Sequence, residues 1–168
     1  MSQDADGLRI REAVRALVVD GDDRVLLVRF EFPQRTVWAI PGGGIDTGES
    51  DHDALRRELA EEIGLVDPDI GPHLWNRLHI IPFIDGMWDG QREKAYLVRV
   101  PSGFEPQPQF SWEQLNAERV FELRWWTMAE LRTAAEAGNI FTAPSQLAAL
   151  VEDLLTHGPP TDPPDVDP

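Results

Sequence analysis

Several features are missing from this sequence, and each absence excludes a class of protein or site. The 168 residues include no cysteine, so disulfide bridges and thiolate-bound zinc are excluded. No apolar run approaches the roughly 20 residues of a membrane-spanning helix. Residues 1–8 lack the basic start and apolar core of a signal peptide. We therefore expect a cytoplasmic protein that does not contact membranes.

Basic residues are also scarce. The chain has 15 Lys and Arg against 30 Asp and Glu, which gives a formal net charge of −15. Because general nucleic-acid binding requires a basic surface, the composition predicts that nucleic acids are not partners. A phosphorylated small molecule is still allowed, since a bound metal ion can supply positive charge locally. The acidity by itself is also typical of a highly soluble protein.

Length and composition predict one globular domain, since 42% of the residues are hydrophobic. We divide the chain into a flexible N-terminus at 1–8, a single domain at 9–157 and a tail at 158–168. Prolines in the tail predict disorder or a polyproline-like conformation, and prolines at 101–117 predict a long loop. The remaining pattern predicts strands at 13–20, 25–30, 37–41, 74–83, 94–100 and 119–126, and helices at 128–137 and 143–156.

The most informative stretch is a glycine-rich loop at 42–44 followed by a short acidic helix. Ser50 is a good N-cap, and Gly64 can end the helix in the left-handed conformation, so we predict a helix over 51–63. The spacing of Glu58, Glu61 and Glu62 places all three carboxylates on one helix face.

This acidic face has two interpretations. Charged helix faces are commonly just solvated, but like charges at this spacing cost about 0.2–0.5 kcal/mol per pair, and the helix has no lysine. Oxygen ligands beside a glycine-rich loop suit Mg²⁺ or Mn²⁺, which bind carboxylates and substrate phosphate together. We therefore predict a divalent metal site here.

The same stretch resembles a complete Nudix box. Gly43 is followed after five residues by Glu49, and after seven more by residues 57–65, which read Arg-Glu-Leu-Ala-Glu-Glu-Ile-Gly-Leu. The resemblance implies an α/β/α sandwich around a mixed sheet, a possible homodimer and metal-dependent hydrolysis of a nucleoside diphosphate linked to another group. ADP-ribose and other nucleotide sugars, dinucleoside polyphosphates and nucleoside triphosphates all remain open as substrates.

The resemblance also implies roles for particular residues. Metal ligands would be the Gly42 carbonyl and the three helix carboxylates Glu58, Glu61 and Glu62, with Glu49 and Arg57 supporting them. The general base would be Glu61 or an acid near the long loop. For the latter, Glu118 is our first choice, and Glu113 and Glu122 are the alternatives.

Four side chains outside the box are candidate substrate contacts. Arg29, Arg35 and Arg77 could hold phosphates. Arg29 is also explained as a residue that caps its strand in solvent, and Arg77 as a surface arginine. Trp112 could stack on a base or anchor the long loop to the core.

Two other functions compete with hydrolysis. An isopentenyl diphosphate isomerase would have the same fold, but it would require a catalytic cysteine, which this chain lacks. A non-catalytic ligand-sensing module commonly loses box carboxylates or adds a DNA-binding segment, whereas this chain keeps every carboxylate and has no basic extension.

Overall fold

A computed structural model describes residues 6–82, 84 and 86–168. The strands are β1 Ile10–Val19, β2 Val25–Glu31, β3 Thr36–Ala39, β4 Gly42–Gly44, β5 Ile70–His79, β6 Gly90–Arg99, β7 Val120–Trp126, β8 Phe141–Ala143 and β9 Asp165–Val166. The helices are α1 Asp51–Ile63, α2 Trp112–Ala117, α3 Met128–Glu136 and α4 Leu147–His157. The predicted flexibility of residues 1–5, and the predicted strand position at 83, lie outside the described residues.

The described strands form one mixed sheet in the order β8-β3-β2-β1-β6-β5-β9, with β4 paired to β1 and β7 to β2. The pairs β1/β6, β3/β8 and β5/β9 are parallel, and the others are antiparallel. This confirms the predicted single α/β domain around a mixed sheet. Across the described ranges, no helix is both long and apolar enough to cross a lipid bilayer.

Strand β1 divides the apolar core into two parts because its side chains alternate between the two faces of the sheet. Val14, Ala16 and Val18 belong to a cluster with the apolar side of α1. On the other face, Leu17 and Val19 belong to a second cluster that includes residues of α3 and α4. Helices therefore cover both faces of the sheet, as in the predicted sandwich.

Helix α1 has the predicted bounds because its caps are local. The Ser50 hydroxyl accepts a hydrogen bond from the backbone N–H of Asp53, and Gly64 adopts a φ of 72°. The backbone N–H of Gly64 donates to the Ala60 carbonyl over 3.1 Å, which satisfies one of the last carbonyls of the helix.

The segment before α2 completes the C-terminal cap of α1. Backbone N–H groups of Gln107, Gln109 and Phe110 donate to α1 carbonyls over 3.0, 3.3 and 3.1 Å. The prediction that 101–117 is entirely loop is wrong, since α2 forms there with a capping box between Ser111 and Gln114. These contacts hold the α2 region against the end of the acidic helix.

The proline-rich tail also differs from the prediction. Strand β9 pairs in parallel with β5, the Asn76 N–H donates to the Pro164 carbonyl over 2.9 Å, and Val166 packs on the core. The prediction of an unstructured tail is therefore wrong for this part of the tail. Pairing with the edge of the sheet outweighs the tendency of the prolines toward disorder or a polyproline-like conformation. Two further short strands, β4 in the glycine loop and β8, were also absent from the prediction.

We predict that Gly64→Ala destabilises the protein more than Gly138→Ala does. Both glycines have a left-handed φ, 72° and 71°, so both variants lose about 1–2 kcal/mol to backbone strain. A Cβ at Gly64 would also lie 1.9 Å from the Gln107 carbonyl oxygen, whereas one at Gly138 would meet no described residue within 4 Å. The Gly64 variant should therefore lose a further 1–3 kcal/mol or so. Urea denaturation measures both, and equal losses would contradict the proposed contact between α1 and the loop.

Candidate active site between the glycine strand and the acidic helix

The glycine strand β4 lets a carboxylate approach the backbone closely. It pairs antiparallel with β1, so that Val14 lies opposite Gly43 and Arg15 opposite Gly42. A Cβ on Gly43 would lie only 2.5 Å from the carboxyl carbon of Glu58. A side chain at that position would displace the Glu58 carboxylate, so Gly43 makes room for the first carboxylate of the acidic helix face.

Arg57 binds several of the surrounding carboxylates with one guanidinium group. Its Nε and Nη2 atoms donate to the two carboxylate oxygens of Glu49 over 2.9 and 2.8 Å. Its Nη1 atom donates to Glu58 over 2.9 Å and to Glu61 over 3.4 Å, and Nη2 also reaches the Gly44 carbonyl over 3.0 Å. The hydrogen bonds from Arg57 lower the pKa of Glu49 to about 2.

Glu62 is the most deeply buried of the three helix carboxylates, at 3% exposure. Its Oε2 atom accepts a long hydrogen bond of 3.4 Å from the Gly42 N–H, and its Oε1 atom has no partner among the described residues. Burial raises the pKa of Glu62 to about 8, although the positive charge of Arg15 opposes the shift. A buried carboxylate oxygen without a partner is costly unless a cation compensates it.

The donor set matches a hard divalent cation, which prefers carboxylate and carbonyl oxygens. In the described part of the chain, however, no three histidine or acidic side chains converge into a ready-made metal site. Arg57 instead contacts both Glu58 and Glu61, which neutralises charges that would otherwise repel one another. The groups that would hold a cation at this site are the Gly42 carbonyl and the carboxylates of Glu58, Glu61 and Glu62.

Arg15 is a residue of this site that the sequence analysis missed. Its Nη1 atom donates to the Gly42 carbonyl over 3.0 Å, and its Nε atom donates to Glu93 over 2.7 Å. A carbonyl oxygen has two lone pairs, so Gly42 can still bind a metal. Strand periodicity could have identified it. Arg11 and Arg15 lie on the face of β1 that otherwise carries the apolar residues Ala13, Leu17 and Val19, so a charged side chain there is unusual.

The structure separates the three candidate acids near the long loop. Burial and then the charge of Glu58 raise the pKa of Glu118, so Glu118 lies within electrostatic reach of the box. Glu113 is exposed in the first turn of α2. Glu122 forms an ion pair with Arg29 over 3.2 Å. Glu118 is exposed as well, and its electrostatic interaction with Glu58 is what favours it among the three.

The four predicted substrate contacts occupy different environments. Arg29 pairs with Glu31 as well as Glu122, and Arg35 lies 5.2 Å above the ring of Phe141. Trp112 is 50% exposed at the start of α2. Arg77 is only 8% exposed, so its alternative explanation as a surface arginine is wrong.

Comparison with known proteins identifies similar sequences. The model of the NUDIX domain family matches residues 9–145. An RNA pyrophosphohydrolase of Aeromonas hydrophila is 32% identical over 62% of this chain and 64% of that protein. The NAD-capped RNA hydrolase NudC of Mycobacterium tuberculosis is 31% identical over 78% of this chain and 37% of that protein. The chain thus spans less than two-thirds of the length of either curated relative.

Solved structures share the fold. The NUDIX domain of Shewanella oneidensis NrtR, in complex with ADP ribose, matches with a TM-score of 0.62 and 22% identity, covering 92% of this chain and 94% of that one. The Ap4A hydrolase of C. elegans, in a binary complex, also has a TM-score of 0.62, with 17% identity over 87% of this chain and 98% of that one. At these identities the comparison establishes the fold alone.

We predict that Glu49→Gln destabilises the protein in a pH-dependent way. The pKa of Glu49 is lowered to about 2 in the folded protein from an ordinary value of 4.5, so its ionised form stabilises the fold above pH 4.5. That contribution is lost as the pH falls toward 2, since the protonated acid then resembles glutamine. The difference in unfolding free energy between wild type and variant should therefore narrow over this range in urea titrations. The substitution Glu136→Gln, at an exposed position, is the control. If the difference in unfolding free energy between wild type and Glu49→Gln does not change with pH, the prediction is contradicted.

Proposed function

Because the chain belongs to the NUDIX family, we propose that it is a divalent-metal-dependent hydrolase of the pyrophosphate bond in a nucleoside diphosphate linked to another moiety. The observation that carries this proposal is the buried Glu62 carboxylate, whose Oε1 atom has no partner in the described part of the chain, beside two further carboxylates on the same helix. The similar proteins support the class, since one is a pyrophosphohydrolase and one is bound to ADP ribose. The net charge of −15 favours small nucleotides over RNA.

The metal would be Mg²⁺ or Mn²⁺, held by the Gly42 carbonyl, Glu58, Glu61 and Glu62. When bound, such an ion offsets the charge of the pyrophosphate oxygens and lowers the pKa of an attacking water. Arg57 and Glu49 would orient the ligands, because Arg57 holds Glu49 in a two-point contact and also contacts Glu58.

A carboxylate must accept the proton of the attacking water. Glu61 and Glu118 are the candidates, and burial raises the pKa of both above its ordinary value. A raised pKa makes a carboxylate a better proton acceptor near neutral pH. Arg15, which donates to the Gly42 carbonyl, would keep that oxygen in place.

ADP-ribose-type compounds, nucleoside triphosphates and dinucleoside polyphosphates all contain the required bond. A non-catalytic ligand-sensing module on the same fold is the alternative, and turnover separates it from a hydrolase. We also keep homodimerisation and cytoplasmic location as predictions.

We predict that Glu62→Gln lowers kcat by more than about a hundredfold, because it removes a charged ligand atom from the metal site. Product analysis with Mg²⁺ and a panel of ADP-ribose, dinucleotide cofactors, diadenosine polyphosphates and nucleoside triphosphates measures the loss. Glu136→Gln, an exposed substitution of the same type, should retain wild-type turnover. Near-normal turnover by a folded Glu62 variant would refute the proposed site, and binding without turnover by the wild type would favour the sensor.

The general base can be identified with Glu61→Gln and Glu118→Gln. We expect one of them to lose about 10²–10⁴-fold in kcat, since this is the usual contribution of a positioned base. The same variant should lose the acidic limb of the pH profile of kcat, whereas a variant that only weakens metal binding should recover at high Mn²⁺ concentration. If both variants keep that limb, neither carboxylate is the base.

A further inference from the structure

The turn between β2 and β3 places an aromatic ring in solvent. Phe32 in this turn is 45% exposed, whereas Phe30, two residues earlier in β2, is partly buried. The two rings stack with their centroids 6.2 Å apart and an angle of 18° between their planes. Arg119 adds a guanidinium group, whose central carbon lies 5.8 Å from the centroid of the Phe32 ring. We call Phe30, Phe32 and Arg119 the aromatic platform.

The inner end of the aromatic platform contacts the candidate active site through Arg15. The central guanidinium carbon of Arg15 lies 5.6 Å from the centroid of the Phe30 ring, and Arg15 Nη1 donates to the Gly42 carbonyl over 3.0 Å. This carbonyl is one of the proposed metal ligands, and the Gly42 N–H donates to Glu62. A single side chain therefore separates the Phe30 ring from the glycine strand of the site.

Helix α2 connects the aromatic platform to the site by a second route. Arg119 directly follows Glu118, the C-cap residue of α2, and the charge of Glu58 contributes to the raised pKa of Glu118. Phe30 packs against a buried cluster that includes Leu115 of the same helix. Helix α2 therefore positions both the aromatic platform and the candidate base Glu118.

Backbone hydrogen bonds fix the outer part of the aromatic platform. The Phe32 N–H donates to the Arg35 carbonyl over 2.9 Å, and the Arg35 N–H donates to the Phe32 carbonyl over 3.3 Å. The Glu31 N–H donates to the Arg119 carbonyl over 3.0 Å, and the Arg119 N–H donates to the Asn116 carbonyl over 2.9 Å. A ligand would thus meet a surface whose backbone is already ordered, which lowers the entropic cost of binding.

An exposed ring next to a guanidinium group suits a nucleobase. Aromatic rings and arginine side chains both offer planar surfaces on which bases stack. A single exposed apolar side chain is common and needs no explanation, but Phe32 stacks on a second ring that contacts Arg15. In a nucleotide, the ribose separates the base from the phosphates. A nucleotide with its pyrophosphate at the box carboxylates would therefore carry its base toward the surroundings of the site, where the aromatic platform lies.

We propose that Phe32 and Arg119 bind the base of the substrate nucleotide and so determine the preference for compounds that carry an aromatic base. The proposal rests on the proposed function, since it assumes that a pyrophosphate lies at the box carboxylates. It narrows the substrate to compounds that are recognised through their base, as opposed to base-free diphosphates. It also assigns base stacking to Phe32 rather than to Trp112, which lies at the start of α2.

The test compares compounds with and without a base. ADP-ribose, ATP and diadenosine tetraphosphate carry adenine, whereas phosphoribosyl pyrophosphate has a ribose and a pyrophosphate but no base. Binding constants come from calorimetry with Ca²⁺ present, so that affinity is measured whether or not turnover occurs. We expect Phe32→Leu to weaken binding of the tightest adenine compound by about five- to a hundredfold, the usual contribution of one stacked base. The affinity for phosphoribosyl pyrophosphate should not change.

Further variants separate the effect of the ring from that of apolar bulk, and the effect of the planar group from that of charge. Phe32→Tyr keeps the aromatic face and should retain the affinity for the adenine compound. Arg119→Lys keeps the positive charge but removes the planar guanidinium group, so it should weaken the adenine compound and leave phosphoribosyl pyrophosphate unaffected. Phe121→Leu makes the same change as Phe32→Leu at another exposed phenylalanine, and it should bind every compound as wild type does.

Unchanged affinity of Phe32→Leu for the adenine compounds, or an equal loss for phosphoribosyl pyrophosphate, would overturn the proposal. A loss in Trp112→Leu or Phe121→Leu instead of Phe32→Leu would place the base elsewhere and also overturn it. If wild type neither binds nor hydrolyses any of the compounds, this proposal and the proposed function both fail. Binding of adenine compounds that depends on Phe32, without turnover in Mg²⁺, would leave the aromatic platform standing and reject the hydrolase. Turnover with an unchanged KM in Phe32→Leu would do the reverse.

Discussion

Carboxylates that share one helix face repel one another, and the site around α1 depends on how this repulsion is offset. Arg57 contacts Glu58 and Glu61 on its own helix and Glu49 in the preceding loop, while the charge of Arg15 acts on the buried Glu62 from β1. The absence of side chains on β4 lets these groups approach the backbone. The acidic cluster is therefore stable enough to form, yet Glu62 Oε1 receives no hydrogen bond from the residues that the structure describes.

The two faces of β1 perform different tasks in the molecule. One face of β1 packs against α1 through apolar contacts, and this packing positions the acidic residues of α1 relative to β4. The other face changes from apolar packing at Leu17 to charged contacts at Arg15 and Arg11. A single strand thus links the carboxylates of α1, the glycine strand β4 and the ion pair between Arg15 and Glu93.

Segments outside the Nudix box pack against α1 and against the edge of the sheet. Backbone N–H groups of Gln107, Gln109 and Phe110 cap the acidic helix, and Glu118 is the C-cap residue of α2. At the other edge, β9 covers β5 beside Arg77. These two segments have little tendency of their own to form regular structure. Their positions are defined because the backbone groups of α1 and of the sheet edge require hydrogen-bond partners.

The sequence by itself determined the features that depend on neighbours along the chain. The bounds of α1 follow from Ser50 and Gly64, and the common face of Glu58, Glu61 and Glu62 follows from helix geometry. Only the tertiary structure decided the partners of distant residues, such as Arg15 with Gly42, Arg77 with Glu93 and β9 with β5. Caps and helix periodicity act over a few residues, whereas strand pairing joins segments that are separated by tens of residues. No local pattern specifies which segments will meet.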